Sequence, residues 1–330
     1  MFRALVRLVI LFVVAAAAFL GWALLLPVKP QQTEILLFPP GSSTGRIADD
    51  LKSRGVIRNA QAFLALRFLQ PGRKLKAGEY KFDREATALE VFDRLARGDV
   101  YARTVVVPEG FNMFDIAKAV EEAGLGSAED FLKVARTEMT LVQQWAPQAQ
   151  SLEGYLFPDT YHFTRTQNMR DIVTAMVRRF EREAKTLGIS GDVHRLVTLA
   201  SIVEKETASP EERPEVASVY YNRLARGMGL AADPTVVYAA LLEGRYRGTI
   251  YVSDLQAESP YNTYRHAGLP PGPIANPGRA SLAAVMNPAQ TNFLYFVAVG
   301  DGSGRHRFSA TYGEHERNVL AYRRAVAGAQ

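Results

Sequence analysis

An apolar stretch from Leu8 to Val28 most constrains what this 330-residue chain can fold into. It is long enough to cross a bilayer as a helix, and two arginines precede it. A cleaved signal peptide is the competing interpretation, because Ala15 to Ala18 could supply the small residues that a signal peptidase needs. The apolar run continues past those alanines. We therefore expect an uncleaved anchor, with a cytoplasmic tail at 1–7, a membrane helix at 8–28 and the rest of the chain outside the cytoplasm.

Composition limits the chemistry that the chain can carry. A hydrophobic content of 48% is enough to bury a sizeable core, and 330 residues suggest two or three units. The absence of cysteine excludes disulfides, a thiolate nucleophile and thiolate metal ligands. The five histidines include no close-spaced ligand pair, so we expect neither a metal nor another cofactor. A net charge of +5 without a basic run argues against nucleic acid and suits an anionic cell-surface polymer.

An internal repeat follows the apolar stretch. The segments LLFPPG at Leu36–Gly41 and VVVPEG at Val105–Gly110 match in register, and the match continues to Gly55 and Gly124. Each copy predicts a strand, a proline and glycine turn, an amphipathic helix and a glycine stop.

Between the two copies the pattern predicts a strand at 76–82 and a helix at 86–97. We therefore predict a small α+β module at 29–148, which resembles the LysM glycan-binding module in its strand, turn and helix. A purely architectural role is the alternative. For the remainder, 149–330, we predict a larger mixed α/β domain that carries the chemistry.

The segment VTLASIVEKET, residues 197–207, predicts the end of a mostly buried helix. Glu204 shares a helical face with Ala200 and Ser201, whose small side chains leave room for a substrate. Its apolar neighbours should disfavour its charged form, as a general acid requires. Glu206 lies about 200° further round the helix and is expected to be solvated. The alternative is that both are ordinary charges at the end of a core helix.

Polar and aromatic side chains of the second half are candidate sugar-binding groups, because amides can bond to hydroxyls and aromatic faces can stack on sugar rings. The segment 259–277 is too rich in proline and glycine for helix or central strand and predicts a rigid loop. Asp233 also predicts an N-cap before Pro234, and Asn222 and the loop also have ordinary structural interpretations. The candidate substrate-binding residues are Glu153, Asn222, Asp233, Thr235, Tyr261, Asn262, Thr263 and Tyr264.

Several motifs occur in order behind the apolar segment: EGYLFPDTY, LASIVEKET, YNRL, DPTVVY, YNTY and GLPPGPIANPG. In this combination the chain resembles the YceG-like family of endolytic murein transglycosylases over nearly its whole length. The resemblance implies a single-pass inner-membrane protein with a cytoplasmic N-terminus, a LysM-like subdomain and a periplasmic catalytic domain. It also implies cleavage of the MurNAc-GlcNAc bond in nascent peptidoglycan strands to leave 1,6-anhydro ends, which limits strand length.

The same resemblance assigns the catalytic acid/base to the first glutamate of EKET, Glu204. It implies peptidoglycan strands and the membrane as partners, with cell-wall synthesis enzymes as further candidates. Two alternatives stay open. A hydrolytic muramidase needs a second carboxylate, for which Glu206, Asp233, Asp254 and Glu258 are the candidates. A glycan-binding scaffold would bind the strands without cleaving them, and Glu204 would then have a structural role.

Overall fold

The computed structural model describes residues 2–328, so Met1 of the predicted tail and residues 329–330 of the predicted catalytic domain lie outside the described residues. The fold is a mixed α+β arrangement, as predicted. It divides into an N-terminal unit, which runs to residue 103 and includes 162–167, and a C-terminal unit formed by 104–161 and the chain from 168 onward. The predicted boundary at 148/149 lies inside the C-terminal unit.

The N-terminal unit contains, in order, α1 (Phe2–Leu25), β1 (Glu34–Phe38), α2 (Thr44–Ser53), α3 (Ala60–Leu69), β2 (Gly78–Phe82) and α4 (Ala88–Arg97). Helix α1 is the one helix among residues 2–328 that is long and apolar enough to cross a membrane. It begins inside the predicted tail. It ends before Pro27, which lacks the backbone N–H that a further turn requires. Its last turn packs on this unit, where Ala23 is buried.

Strands β1 and β2 pair antiparallel, with Leu36 opposite Tyr80. Their inner faces and the apolar faces of α2, α3 and α4 enclose one core, in which the rings of Phe63 and Phe92 lie 5.7 Å apart. Helix α4 starts at a Thr87 capping box and stops at Gly98, whose left-handed conformation (φ 73°) ends the helix. The predicted strand and helix between the repeats are thus confirmed.

The remaining elements are β3 (Arg103–Val107), α5 (Met113–Glu122), α6 (Ala128–Thr137), a 3-10 turn (Met139–Leu141), β4 (Asp159–Phe163), α7 (Met169–Leu187), α8 (Val193–Glu206), α9 (Arg213–Ala225), α10 (Asp233–Leu242), α11 (Val252–Leu255), α12 (Arg279–Met286), β5 (Tyr295–Ala298), β6 (His306–Ser309) and α13 (Tyr312–Gly328). Strand β3 pairs with β4, and β5 pairs with β6 as the predicted C-terminal hairpin. The proline-rich segment 259–277 contains neither helix nor strand, as predicted.

Both copies of the repeat form the predicted strand, turn and helix. Their turn glycines, Gly41 and Gly110, have φ of 86° and 78°, and the stop glycines Gly55 and Gly124 both have φ of 68°. These left-handed conformations favour glycine, which explains why both pairs occupy matching places in the sequence. The first copy belongs to the N-terminal unit, and the helix of the second belongs to the C-terminal unit.

Helix α8 organises the C-terminal unit. All seven residues from Val197 to Val203 are buried, and the helix packs against α9, α10 and α12. It begins at Asp192, whose side chain accepts from the Arg195 N–H, and it ends after Glu206 because Thr207 is extended (φ −139°, ψ 135°). Because three helices surround α8, its last turn is enclosed on several sides.

Candidate active site

Glu204 lies in a buried ion pair. Its side chain is 5% exposed, and its Oε1 accepts from the guanidinium of Arg213 at 3.0 Å, while the Arg213 side chain is 7% exposed. Its Oε2 accepts from the backbone N–H of Gly278 at 2.9 Å. These two donors stabilise the charged carboxylate. The sequence-based expectation covered only the apolar neighbours on α8 and missed these two partners, which α9 and the turn before α12 supply. The role of Glu204 as acid/base stays a prediction.

Glu109, from the turn of the second repeat, shares the same arginine. Its Oε2 lies 3.8 Å from Nη1 of Arg213. Its carboxylate also packs on Gly278, where an added Cβ would come within 1.8 Å of Oε1. Burial, and then the charge of Glu204, raise the pKa of Glu109. Sequence reasoning missed this residue, although one signal was present, because the first repeat has Pro40 where the second has a glutamate.

Glu206 was expected to be solvated, and that expectation is wrong. It is the half-buried last residue of α8, and burial raises its pKa to about 7. The hydroxyl of Tyr220 donates to it and lowers the pKa, whereas the nearby charge of Asp233 raises it. The unpaired carbonyls of a helix C-terminus also disfavour a negative charge. At neutral pH Glu206 can therefore both give and take a proton.

Several predicted substrate-binding residues lie near Glu206. The carboxylate of Asp233 accepts from the hydroxyl of Tyr264 at 2.7 Å, and both residues are exposed. Beneath them, the hydroxyls of Thr235 and Thr263 bond to each other at 2.9 Å and are buried. Asp233 is the first residue of α10 and makes no cap hydrogen bond, so its predicted N-cap role is wrong. Its carboxylate instead faces Tyr264.

Two of the predicted substrate ligands donate hydrogen bonds to backbone carbonyls. The Asn262 side chain is fully buried, and its amide donates to the carbonyls of Leu255 at 3.0 Å and Ala257 at 2.8 Å. The Asn222 amide donates to Thr291 and Phe293 carbonyls at 2.9 and 3.0 Å. Their contact with a substrate stays a prediction.

Glu153 lies inside the unit at 1% exposure. Its Oε2 accepts from the backbone N–H of Met113 and its Oε1 from the amide of Asn276, both at 2.8 Å. The carboxylate thereby joins the start of α5 to the proline-rich loop, in which the ring of Tyr261 lies 5.2 Å from that of Tyr238. Burial outweighs these hydrogen bonds and raises the pKa of Glu153 to about 8. Its contact with substrate, and that of Tyr261, stay predictions.

This shift makes folding stability depend on pH. Because the folded pKa lies above the unfolded value, the stabilisation from Glu153 is fully present below about pH 4.5 and is lost as the pH rises to about 8. We expect this effect to lower the free energy of unfolding by at most roughly 5 kcal/mol across that range, at about 1.36 kcal/mol per pKa unit. Urea titrations at a series of pH values measure the free energy of unfolding. Its decrease with rising pH should be smaller for Glu153→Gln than for the unchanged chain. Equal decreases would contradict the assignment.

Among the described residues 2–328, no group of three histidine, aspartate or glutamate side chains is placed to hold a metal ion. The arrangement that the site does provide is a half-buried glutamate with a pKa near neutrality, next to an exposed aspartate and tyrosine. A perturbed carboxyl in such surroundings is a candidate acid/base.

Comparison with known proteins identifies the class. The YceG-like family model matches residues 36–321, and the chain belongs to this family. A protein named endolytic murein transglycosylase from Bacillus subtilis (strain 168) is 34% identical, with 94% of this chain and 91% of that protein aligned. One of the same name from Streptococcus pneumoniae (strain D39) is 27% identical over 96% of this chain and 64% of its own length.

A solved structure has the same fold. The crystal structure of a YceG-like protein from Listeria monocytogenes matches with a TM-score of 0.56 and 32% sequence identity, covering 87% of this chain and 99% of that one.

Proposed function

We propose that this chain is an endolytic murein transglycosylase and that Glu206 is its acid/base. The observation that carries the proposal is the half-buried carboxyl of Glu206, whose pKa of about 7 suits proton transfer in both directions. Its neighbours Asp233 and Tyr264 are exposed enough to meet a glycan strand. The names of the relatives from B. subtilis and S. pneumoniae support the substrate.

One carboxyl group suffices for the proposed reaction. Protonated Glu206 gives its proton to the oxygen that links MurNAc C1 to GlcNAc, and the bond from C1 to that oxygen breaks. The resulting carboxylate then takes the proton of the MurNAc C6 hydroxyl, whose oxygen forms a bond to C1 and closes the 1,6-anhydro ring. The net change moves one proton from O6 to the leaving oxygen, and water takes no part. Cleavage within nascent strands would limit their length.

Glu204, which the sequence analysis assigned to this role, is the alternative acid/base. Both of its carboxylate oxygens accept hydrogen bonds, from Arg213 and from Gly278. The buried pair with Arg213 joins α8 to α9, and breaking such a pair by removing one partner is costly. The geometry therefore supports a structural role for Glu204 and a catalytic role for Glu206.

A hydrolytic muramidase is the second candidate function, and the position of Asp233 beside Glu206 favours it. The other carboxylates named for this role are bound elsewhere. Asp254 is buried and paired with Arg245, and Glu258 is paired with Arg265. Asp233 could activate a water molecule for attack on C1, as the second carboxylate of an inverting hydrolase does, or attack C1 itself, as that of a retaining hydrolase does.

Product analysis decides between these functions. The full-length protein in detergent would be incubated with purified uncrosslinked glycan strands, and the new ends analysed by mass spectrometry. Transglycosylation gives anhydro ends, each one water lighter than the reducing ends that hydrolysis leaves. Reducing ends alone would establish the muramidase. Strands of unchanged length would contradict both enzymatic functions and favour the glycan-binding scaffold.

The proposed location is the inner membrane, with the N-terminus in the cytoplasm. The 24-residue apolar helix α1 and the arginines within its first two turns support this topology. We propose a periplasmic catalytic domain at 149–330. Protease added to spheroplasts should then digest the chain beyond residue 28. Full protection would contradict the topology.

We also propose that the predicted module at 29–148 includes a LysM-like glycan-binding part. Its support is a depression of about 510 Å³ beside β2 and α4, lined by Arg84, Arg94 and Tyr101 among others. Guanidinium and aromatic groups are suited to sugars that carry acidic substituents. Weaker glycan binding by the Arg84→Ala variant supports binding there, and unchanged binding favours the architectural role.

A further inference from the structure

A groove of about 310 Å³ opens beside the end of α8. One part of its lining is aliphatic, from Val237 and Leu241 on α10 and Ile274 in the proline-rich loop. Aliphatic walls suit small apolar side chains better than the hydroxyl-covered faces of a sugar ring. The volume is at the lower end for ligand pockets, about 300–1,000 Å³, so the groove admits a short segment of a larger molecule.

The charged side chains of the groove are of both signs, and Asn112, Tyr238 and Tyr246 add uncharged polar groups to its lining. Lys205, which lies between the two glutamates of α8 in the chain, is exposed and donates one long hydrogen bond, 3.3 Å, to the carbonyl of Gly110. An ammonium has three N–H donors, and within residues 2–328 that of Lys205 makes this one hydrogen bond, so two donors can bind an anion. Asp233 also lines the groove. A ligand that carries carboxylates and small apolar side chains on one short segment matches this lining.

We propose that this groove binds the peptide stem carried by the murein strand, with Lys205 pairing with a carboxylate of the peptide. The inference rests on the proposed function, since it assigns a further part of the same substrate. Murein strands carry short peptides rich in alanine and in free carboxylates. The groove is continuous with the proposed site, because Asp233 lines the groove and its charge acts on Glu206. A stem bound there would lie beside the bond to be cleaved.

The test compares two forms of one substrate. Uncrosslinked strands that keep their peptides and the same strands after amidase has removed the peptides are each given to the full-length protein in detergent. We expect kcat/KM to be about tenfold higher for the peptide-bearing strands, the size of one charge-assisted contact. The Lys205→Met variant should reduce this ratio to near one. Val237→Trp, which fills the groove without changing charge, should also reduce it.

The matched control is Lys133→Met, since Lys133 is an exposed lysine on α6 outside the groove, and it should keep the tenfold ratio. A ratio near one in the unchanged protein would overturn the inference. So would an equal loss on both substrates in Lys205→Met, because that result would assign the groove to the glycan itself. If the unchanged protein cleaves neither substrate, the proposed function fails and the inference fails with it.

Discussion

Glu206→Gln should lower the rate of glycan cleavage by a factor on the order of 10² to 10⁴, the range expected when a general acid or base is removed. Glutamine keeps the size of the side chain and can still accept from Tyr220, but it cannot give up a proton. Because Glu206 is half-buried and forms no ion pair with any residue from 2 to 328, we expect the variant to fold normally. The rate should be followed by release of shortened strands, together with a thermal melt of each variant.

Glu204→Gln is the matched comparison, since only Lys205 separates the two glutamates on the same helical turn. Its amide oxygen can still accept from Arg213, so we expect a less stable protein whose folded fraction still cleaves glycan. The reverse result, an inactive but stable Glu204 variant and an active Glu206 variant, would restore the sequence-based assignment.

The pH dependence of the cleavage rate offers a second measure. The rate should fall on the alkaline side of about pH 7, where the Glu206 carboxyl loses its proton.

Arg213→Met should lower the free energy of unfolding by about 3–5 kcal/mol, the cost of removing one partner of a buried ion pair. The arginine side chain is 7% exposed and lies between the carboxylates of Glu204 and Glu109. Methionine fills part of the volume but leaves the Glu204 charge buried with only the Gly278 N–H to stabilise it. Urea denaturation at neutral pH measures the loss.

The double variant Arg213→Met with Glu204→Gln separates the charge from the packing. If the buried charge is the cause, the double variant should regain a large part of the stability lost in Arg213→Met, and the two substitutions should be strongly non-additive. Arg178→Met, at an exposed position of α7, is the control and should change stability by no more than about 0.5 kcal/mol. Additive effects in the double variant would refute the ion-pair explanation.

The local structure of this chain was largely predictable from its sequence. The turn and stop glycines of both repeats, Gly41 with Gly110 and Gly55 with Gly124, all adopt the left-handed conformation that favours glycine. The apolar face of α8 and the hairpin at the C-terminus were likewise predicted from the periodicity of apolar residues. Such features depend on backbone preferences and on the alternation of apolar residues over a few turns. Residues close in the sequence therefore determine these local features.

The environments of Glu204 and Glu206 were decided by tertiary structure. Helical periodicity placed them on different faces but wrongly predicted that Glu206 is solvated, because burial at a helix end depends on which other elements cover it. Arg213 from α9 and Gly278 before α12 hold Glu204, while Tyr220 and Asp233 surround Glu206. Periodicity also could not show that Asn262 and Asn222 bond to the backbone. Desolvation and charge act through space over a few ångströms, so partners distant in sequence determine which carboxyl keeps its proton.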